Sequence, residues 1–151
     1  MTKQRSGRHS HHRRRLSIEP AAAQTSNDDK DKPDVRLISY NQTEFIDKVV
    51  DNLTDIPDYL GKNKVVWIDI NGIRCHKMLK FLGESFEIHN LCLEDVINTQ
   101  RPKLEQYGNR FFLVLQQLTR PSSGELNSFQ VAMAFGKGYL VTFHDGQWKL
   151  V

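Results

Sequence analysis

Large apolar side chains are almost absent from the first 34 residues of this 151-residue chain, and their absence limits where a fold can form. Met1, Leu16 and Ile18 are the only large aliphatic side chains there. Ordering a residue costs about 1–2 kcal/mol of backbone entropy, which so few apolar groups cannot offset. We therefore predict a disordered basic tail over residues 1–34 and one folded domain over residues 35–151.

The basic charge of the chain is confined to the same tail. The formal net charge is +3, and residues 1–34 hold eight basic and five acidic side chains. The predicted domain has thirteen of each, so it lacks the electrostatic footprint of a nucleic-acid-binding protein. The tail cluster Arg13-Arg14-Arg15 leaves open a separate role as an arm that binds anionic lipid headgroups or RNA.

Neither the apolar runs nor the cysteines are typical of a membrane-spanning or secreted protein. The longest apolar runs, Phe111–Leu115 and Val131–Phe135, are far shorter than the ~20 residues of a bilayer-spanning helix. A secretory signal requires an apolar stretch after its basic N-terminus, and this sequence has none. Cys75 and Cys92 give no disulfide framework, so a reduced, cytosolic setting is expected.

The apolar pattern predicts an α/β fold, a layered domain with a mixed, largely antiparallel sheet flanked by helices. Strands are predicted at residues 35–40, 64–70, 103–107, 110–119, 127–135 and 139–144. Helices are predicted after Asn41, over residues 73–82 with Gly83 as the stop, and over residues 89–97. The first of these helices rests on apolar side chains at helical spacing: Phe45, Ile46, Val49, Val50 and Leu53.

Glu94 and Asp95 are an acidic pair inside the apolar helix predicted at residues 89–97. Neighbouring side chains on a helix diverge by about 100°, so adjacency alone does not let both bind one ion. Carboxylate oxygens suit Mg²⁺, which keeps several waters and takes one or two carboxylates. Arg101, next to Pro102, is expected to pair with one of these acids and keep it ionised.

Two other groupings of residues offer side chains for a metal-binding or catalytic site. Cys75-His76 and His89 with Cys92 supply four ligands of the types that bind zinc. Asp69, near the end of the predicted buried strand, would combine with Glu94 and His89 in a stand-alone soluble metal-binding or enzymatic α/β domain.

Three motifs follow one another in a specific order: Trp67-Ile68-Asp69-Ile70-Asn71-Gly72, His89-Asn90-Leu91-Cys92-Leu93-Glu94-Asp95-Val96-Ile97-Asn98 and Gln100-Arg101-Pro102-Lys103-Leu104-Glu105. The series continues with Tyr107, Phe111–Leu115, Gln130-Val131 and Tyr139–Phe143. This order resembles the N-terminal cytoplasmic domain of the CorA magnesium/cobalt transporter family, over about residues 35–148. The resemblance gives structural roles in the motifs to His89, Arg101, Pro102, Lys103 and Glu105.

The resemblance implies a Mg²⁺-sensing cytoplasmic domain of an ion transporter, not an enzyme. Family members are homopentameric membrane channels for Mg²⁺ that also pass Co²⁺. Glu94 and Asp95 match acids that hold regulatory Mg²⁺ between identical neighbouring protomers, together with acids of the next protomer's stalk helix. By this resemblance, residues 1–151 are expected to end before the stalk, the membrane helices and the Gly-Met-Asn pore motif. We expect this part alone to conduct no ions, to bind Mg²⁺ weakly and to reach the membrane only through those further parts.

Overall fold

Seven strands and two α-helices make up the computed structural model, which describes residues 32–61, 64–120 and 124–146. The predicted fold class is confirmed, whereas the predicted disorder of the tail lies almost wholly outside the described residues. The elements in chain order are β1 (Asp34–Tyr40), β2 (Phe45–Val49), a 3-10 helix (Leu53–Tyr59), β3 (Val65–Asn71), α1 (His76–Phe86), α2 (Asn90–Ile97), β4 (Lys103–Tyr107), β5 (Arg110–Thr119), β6 (Asn127–Gly136) and β7 (Tyr139–His144).

One mixed sheet contains all seven strands, in the order β2-β1-β3-β7-β6-β5-β4. Strands β4 to β7 form the antiparallel meander that the turn residues after Pro102 predict. The parallel pair is β3 with β7, in a register that sets Ile68 beside Val141. The meander therefore brings β7 next to β3 and makes β4 an edge of the sheet among the described strands.

The two faces of this sheet differ in what covers them. Ile68, Phe112, Ala134 and Phe143 point to one face, where they are buried in a single core with side chains of α1, α2 and the 3-10 helix. Because side chains alternate along a strand, their neighbours point the other way. The described helices do not cover that second face, which we call the open face. Its incompletely buried apolar side chains include Trp67, Leu104, Phe111, Leu113, Leu115, Met133, Phe135 and Leu140.

The helix predicted after Asn41 is wrong, because this segment forms β2 and then the 3-10 helix. The side-chain oxygen of Asn41 accepts hydrogen bonds from the backbone of Thr43 and Glu44 at 2.9 and 2.7 Å. These bonds resemble a helix cap, but here they close the turn between β1 and β2. The short apolar pattern is ambiguous between helix and strand, and its branched side chains favour the strand. On this edge strand Phe45 and Val49 are 70% and 71% exposed.

Gly83 does not end α1, contrary to the sequence prediction. The helix continues to Phe86 and is capped by Glu87 in the left-handed conformation, while the backbone nitrogen of Ile88 donates to the carbonyl of Gly83 at 2.9 Å. A Cβ atom at Gly83 would lie 2.7 Å from Leu93. The missing side chain therefore permits close packing of α1 against α2, which in turn fixes the position of the acidic pair.

Candidate metal site

Helix α2 carries the predicted metal ligands and is fixed at both ends by side chains. At its start, Nδ1 of His89 accepts a hydrogen bond from the backbone of Leu91 at 3.2 Å. At its end, the side-chain amide of Asn98 donates to the carbonyl of Glu94 at 2.9 Å. Cys92 and Val96 anchor the helix in the core. His89 therefore acts as a helix cap in this structure, and that nitrogen is already occupied by the cap bond.

Glu94 and Asp95 face different surroundings, as expected for adjacent residues on a helix. Asp95 turns toward the sheet, where its carboxylate accepts from Nζ of Lys103 at 2.6 Å and its side chain is 16% exposed. Glu94 is exposed, and its carboxylate forms no ion pair with any residue in the described ranges. The two acids are thus a partly buried carboxylate that pairs with Lys103 and a solvent-facing one.

The side chains of β4 that point to α2 form a continuous polar row. Nζ of Lys103 also lies 3.0 Å from Oε1 of Glu105, whose second oxygen accepts from the hydroxyl of Tyr107 at 2.9 Å. The ring of His89 stacks on that of Tyr107, with 5.3 Å between centroids. Lys103 and Glu105 therefore share one face of the strand, as the alternation predicts. This row connects the helix cap to the acidic pair.

Charge pairing within the row shifts two pKa values in opposite directions. Hydrogen bonds to Asp95 and then Glu105 raise the pKa of Lys103, while those from Lys103 and then Tyr107 lower the pKa of Glu105. Contacts with Cys92 and Glu105 raise the pKa of the Tyr107 hydroxyl. The lysine and the carboxylate therefore keep their charges near neutral pH, and Tyr107 stays protonated.

Arg101 is not the partner of the acidic pair, contrary to the sequence prediction. Both Arg101 and Pro102 are exposed, and the structure shows no ion pair from Arg101 to either acid within the described ranges. Lys103 takes that place, because β4 begins there and points this side chain toward α2. The predicted partner lies in the correct segment between α2 and β4, but the basic residue that pairs with the acid is Lys103 and not Arg101.

Two glutamines that the chemical analysis of the sequence missed fasten the segment after α2 to the sheet. The amide of Gln130 accepts from the backbone of Gln100 at 2.6 Å and donates to the carbonyls of Asp95 and Asn98 at 2.9 and 3.1 Å. Gln116 donates to the carbonyl of Gln100 at 3.0 Å. An amide side chain inside an otherwise apolar strand was the signal that could have revealed them.

The predicted zinc ligands do not come together. Among the described residues, the structure contains no group of three or more His, Cys, Asp or Glu side chains able to hold a metal ion. Cys75 precedes α1, His76 is exposed, and Cys92 is buried in the core. Both cysteines are free thiols and behave as packing residues.

Asp69 lies away from α2, on the open face of the sheet. Its carboxylate accepts a hydrogen bond from the hydroxyl of Thr142 and lies 3.3 Å from Nε2 of the buried His144. Four strand positions separate β3 from β4, or about 19 Å at ~4.8 Å per step. Asp69 therefore does not join Glu94 and His89 in one metal-binding or catalytic site.

The pairing of Asp69 predicts a contribution to acid sensitivity. Burial raises its pKa, but the contacts with His144 and then Thr142 outweigh this effect, so the pKa in the fold lies below its usual value. The folded state then loses protons more readily than the unfolded chain, and the stabilisation present above about pH 4 is lost as the pH falls further. Urea unfolding of Asp69→Asn should show a smaller loss of stability between pH 7 and pH 3. An undiminished loss would contradict this role.

Comparison with known proteins places this chain in a protein family. A family model described as "CorA-like Mg2+ transporter protein" matches residues 62–151. The chain belongs to this family. A cobalt/magnesium transport protein CorA from Thermotoga maritima is 31% identical over 114 residues, which are 74% of this chain and 32% of that protein. The chain thus spans about a third of the length of this CorA relative.

Solved structures carry the same fold at low sequence identity. The soluble domain of CorA from Methanocaldococcus jannaschii is 13% identical, with a TM-score of 0.52 over 74% of this chain and 41% of that one. The full-length CmaX protein is 11% identical, with a TM-score of 0.61 over 78% of this chain and 36% of that one. This chain therefore has the fold of a CorA soluble domain. No helix in its described ranges is both long and apolar enough to cross a membrane.

Proposed function

We propose that this chain is the cytoplasmic, Mg²⁺-sensing part of a CorA-type transporter, with no ion conduction or catalysis of its own. The observation that carries the proposal is the outward-facing carboxylate of Glu94 on a helix whose position is fixed. Caps at both ends, the core and the Gln130 amide all hold α2 in place. A rigid helix presents a ligand at a defined place, which a sensor between subunits needs.

A single chain holds too few ligands for a regulatory metal. Mg²⁺ requires six oxygen ligands in near-octahedral geometry, and waters commonly fill several of these positions. Glu94 is open to solvent, while Asp95 already accepts from Lys103. The remaining protein oxygens would come from an identical neighbouring protomer, in keeping with the homopentamer that the family resemblance implies. Co²⁺ would bind the same oxygen ligands with related geometry.

The regulatory mechanism follows from charge. Bringing the Glu94 surface against acids of the next protomer costs electrostatic repulsion. A divalent ion between them removes that repulsion, so it binds the closed arrangement more tightly than the open one and shifts the population toward it. Loss of Mg²⁺ from the cytoplasm reverses the shift. The ion at this surface acts as a regulator and is not the transported ion.

The open face supports the view that this chain works within a larger polypeptide. Leu104 and Leu115 on that face are 62% and 40% exposed, beside partly buried aromatic residues of β5 and β6. A broad apolar surface is normally covered by another element or subunit. We infer that further parts of the transporter pack there and link this domain to the membrane.

A Mg²⁺ titration of the isolated 151-residue chain, followed by backbone NMR shifts, tests the proposal. The expected binding is weaker than about 1 mM, with shifts centred on Glu94, since most ligands are missing. Glu94→Gln should remove these shifts, while the matched variant Glu84→Gln, on the exposed surface of α1, should retain them. Tight stoichiometric binding by the single chain would instead indicate the stand-alone metal-binding domain and contradict the proposal.

A further inference from the structure

A cleft distinct from the candidate metal site lies at the end of α1, beside the turn between β6 and β7. Its volume is about 500 Å³. Basic side chains from three separate segments reach it, namely Lys64, Arg110 and Lys137, with one acidic side chain, Glu87. The folded domain as a whole is neutral by sequence, so this convergence gives the cleft a local excess of positive charge.

The basic groups are held in place to different degrees. Lys64 pairs with Glu44 at 2.6 Å, but Glu44 lies outside the lining and its side chain is 57% exposed. Arg110 pairs with Glu87 within the cleft. Lys137 is exposed and forms no ion pair with a residue in the described ranges. The Lys64 side chain is 18% exposed, so it is the solvent-facing Glu44 carboxylate that an incoming anion would replace at this pair.

Aromatic and aliphatic side chains supply the cleft with an apolar wall. The rings of Phe86 and Tyr139 lie 5.1 Å apart, and the hydroxyl of Tyr139 donates to the carbonyl of Phe86 at 3.2 Å. This bond occupies one of the carbonyls at the end of α1, which would otherwise repel an anion. Leu60 completes the wall.

Two glycines shape the turn that brings Lys137 to the cleft. A Cβ atom at Gly136 would lie 2.8 Å from the ring of Tyr139, so a side chain there would displace this ring. Gly138 has a φ of +81°, a conformation that favours glycine. The sequence Gly136-Lys137-Gly138 therefore permits both the aromatic wall and the lysine beside it.

We propose that this cleft binds a small phosphate-bearing anion of nucleotide size. The volume lies within the range of ordinary small-molecule sites, and a charged rim with an apolar wall suits a ligand that has phosphates and a planar or apolar body. Lysine ammonium groups bind phosphate as point charges, and the arginine fork can bind it with two hydrogen bonds. This inference does not depend on the proposed Mg²⁺-sensing role.

Isothermal titration of the full chain with ATP and with pyrophosphate, in excess EDTA, tests this proposal. Every protein used carries Arg13→Gln, Arg14→Gln and Arg15→Gln, so that the tail cannot supply the anion site. We expect saturable binding that Lys64→Gln with Lys137→Gln weakens at least about tenfold, since each lysine offers a charged hydrogen bond. The matched exposed-lysine variant Lys80→Gln should leave the affinity unchanged.

Comparing the titrations with ATP and with pyrophosphate shows which part of the ligand the cleft binds. Tighter binding of ATP than of pyrophosphate identifies a nucleotide, and equal binding identifies the phosphate groups alone; both support the site. Circular dichroism checks that the lysine variants remain folded. The proposal is overturned by the absence of saturable binding, or by equal weakening in Lys80→Gln and in the double variant. Equal competition by sulfate and pyrophosphate would likewise overturn it, since it would indicate general charge attraction.

Discussion

Phe112→Ala should lower the free energy of unfolding by about 3–5 kcal/mol, whereas Phe111→Ala next to it should cost less than about 2 kcal/mol. Phe112 points into the core and is 1% exposed. Phe111 points to the open face, where it stacks on Phe135 at 5.4 Å between centroids and keeps part of its surface in solvent. The difference arises because truncating the core ring leaves a cavity and truncating the other mainly exposes neighbours.

Urea unfolding of the two variants measures this difference, with the slope of each transition checking that both unfold in the same way. The adjacent phenylalanines form a matched pair, since the chemical change and the strand are identical. Equal destabilisation would contradict the assignment of the two faces. It would mean that the open face is as fully packed as the core.

Gln130→Glu should be the most disruptive single change near the acidic pair. The substitution replaces an amide donor with a carboxylate oxygen directed at the carbonyls of Asp95 and Asn98. Both carbonyls lose a partner and face a negative charge, which costs about 3 kcal/mol. Urea unfolding measures the loss, which comes from these carbonyl bonds, since a carboxylate oxygen still accepts from the backbone nitrogen of Gln100.

Gln106→Glu provides the matched control for this change. Gln106 also donates to a backbone carbonyl, that of Gly108 at 2.8 Å, but it is exposed on the edge strand. Water can replace that bond, so the expected change is within about 0.5 kcal/mol. Similar effects of the two substitutions would show that Gln130 does not clamp the helix to the sheet.

The sequence predicted the second half of the fold more closely than the first. After Pro102, alternating apolar and polar residues separated by glycine-containing turns are compatible with few structures other than hairpins. The four predicted strands agree closely with β4 to β7. Between Asn41 and Leu53 the apolar spacing fitted both a helix and a strand, and pairing with β1 decided the outcome. At Gly83 the requirement came from Leu93, a tertiary contact that local sequence does not contain.

At the candidate site, the face of the strand on which side chains lie was predictable, but their contacts were not. The sequence placed Lys103 and Glu105 on one face of a strand, and the structure agrees. It could not show that this face meets α2, and so it assigned the partner role to Arg101. That choice depends on how the meander packs, which is set by contacts between distant segments.

Mg²⁺-dependent closure of the complete transporter containing this chain tests the central proposal most directly. The quantity to measure is the internal Mg²⁺ concentration that halves ion uptake, compared for the unmodified protein, Glu94→Gln and Glu84→Gln. If Glu94 faces the neighbouring protomer as a metal ligand, its loss should raise that concentration at least about tenfold, while Glu84→Gln should leave it unchanged. An unchanged half-inhibitory concentration in Glu94→Gln, with normal assembly and uptake, would contradict the regulatory role proposed for this helix.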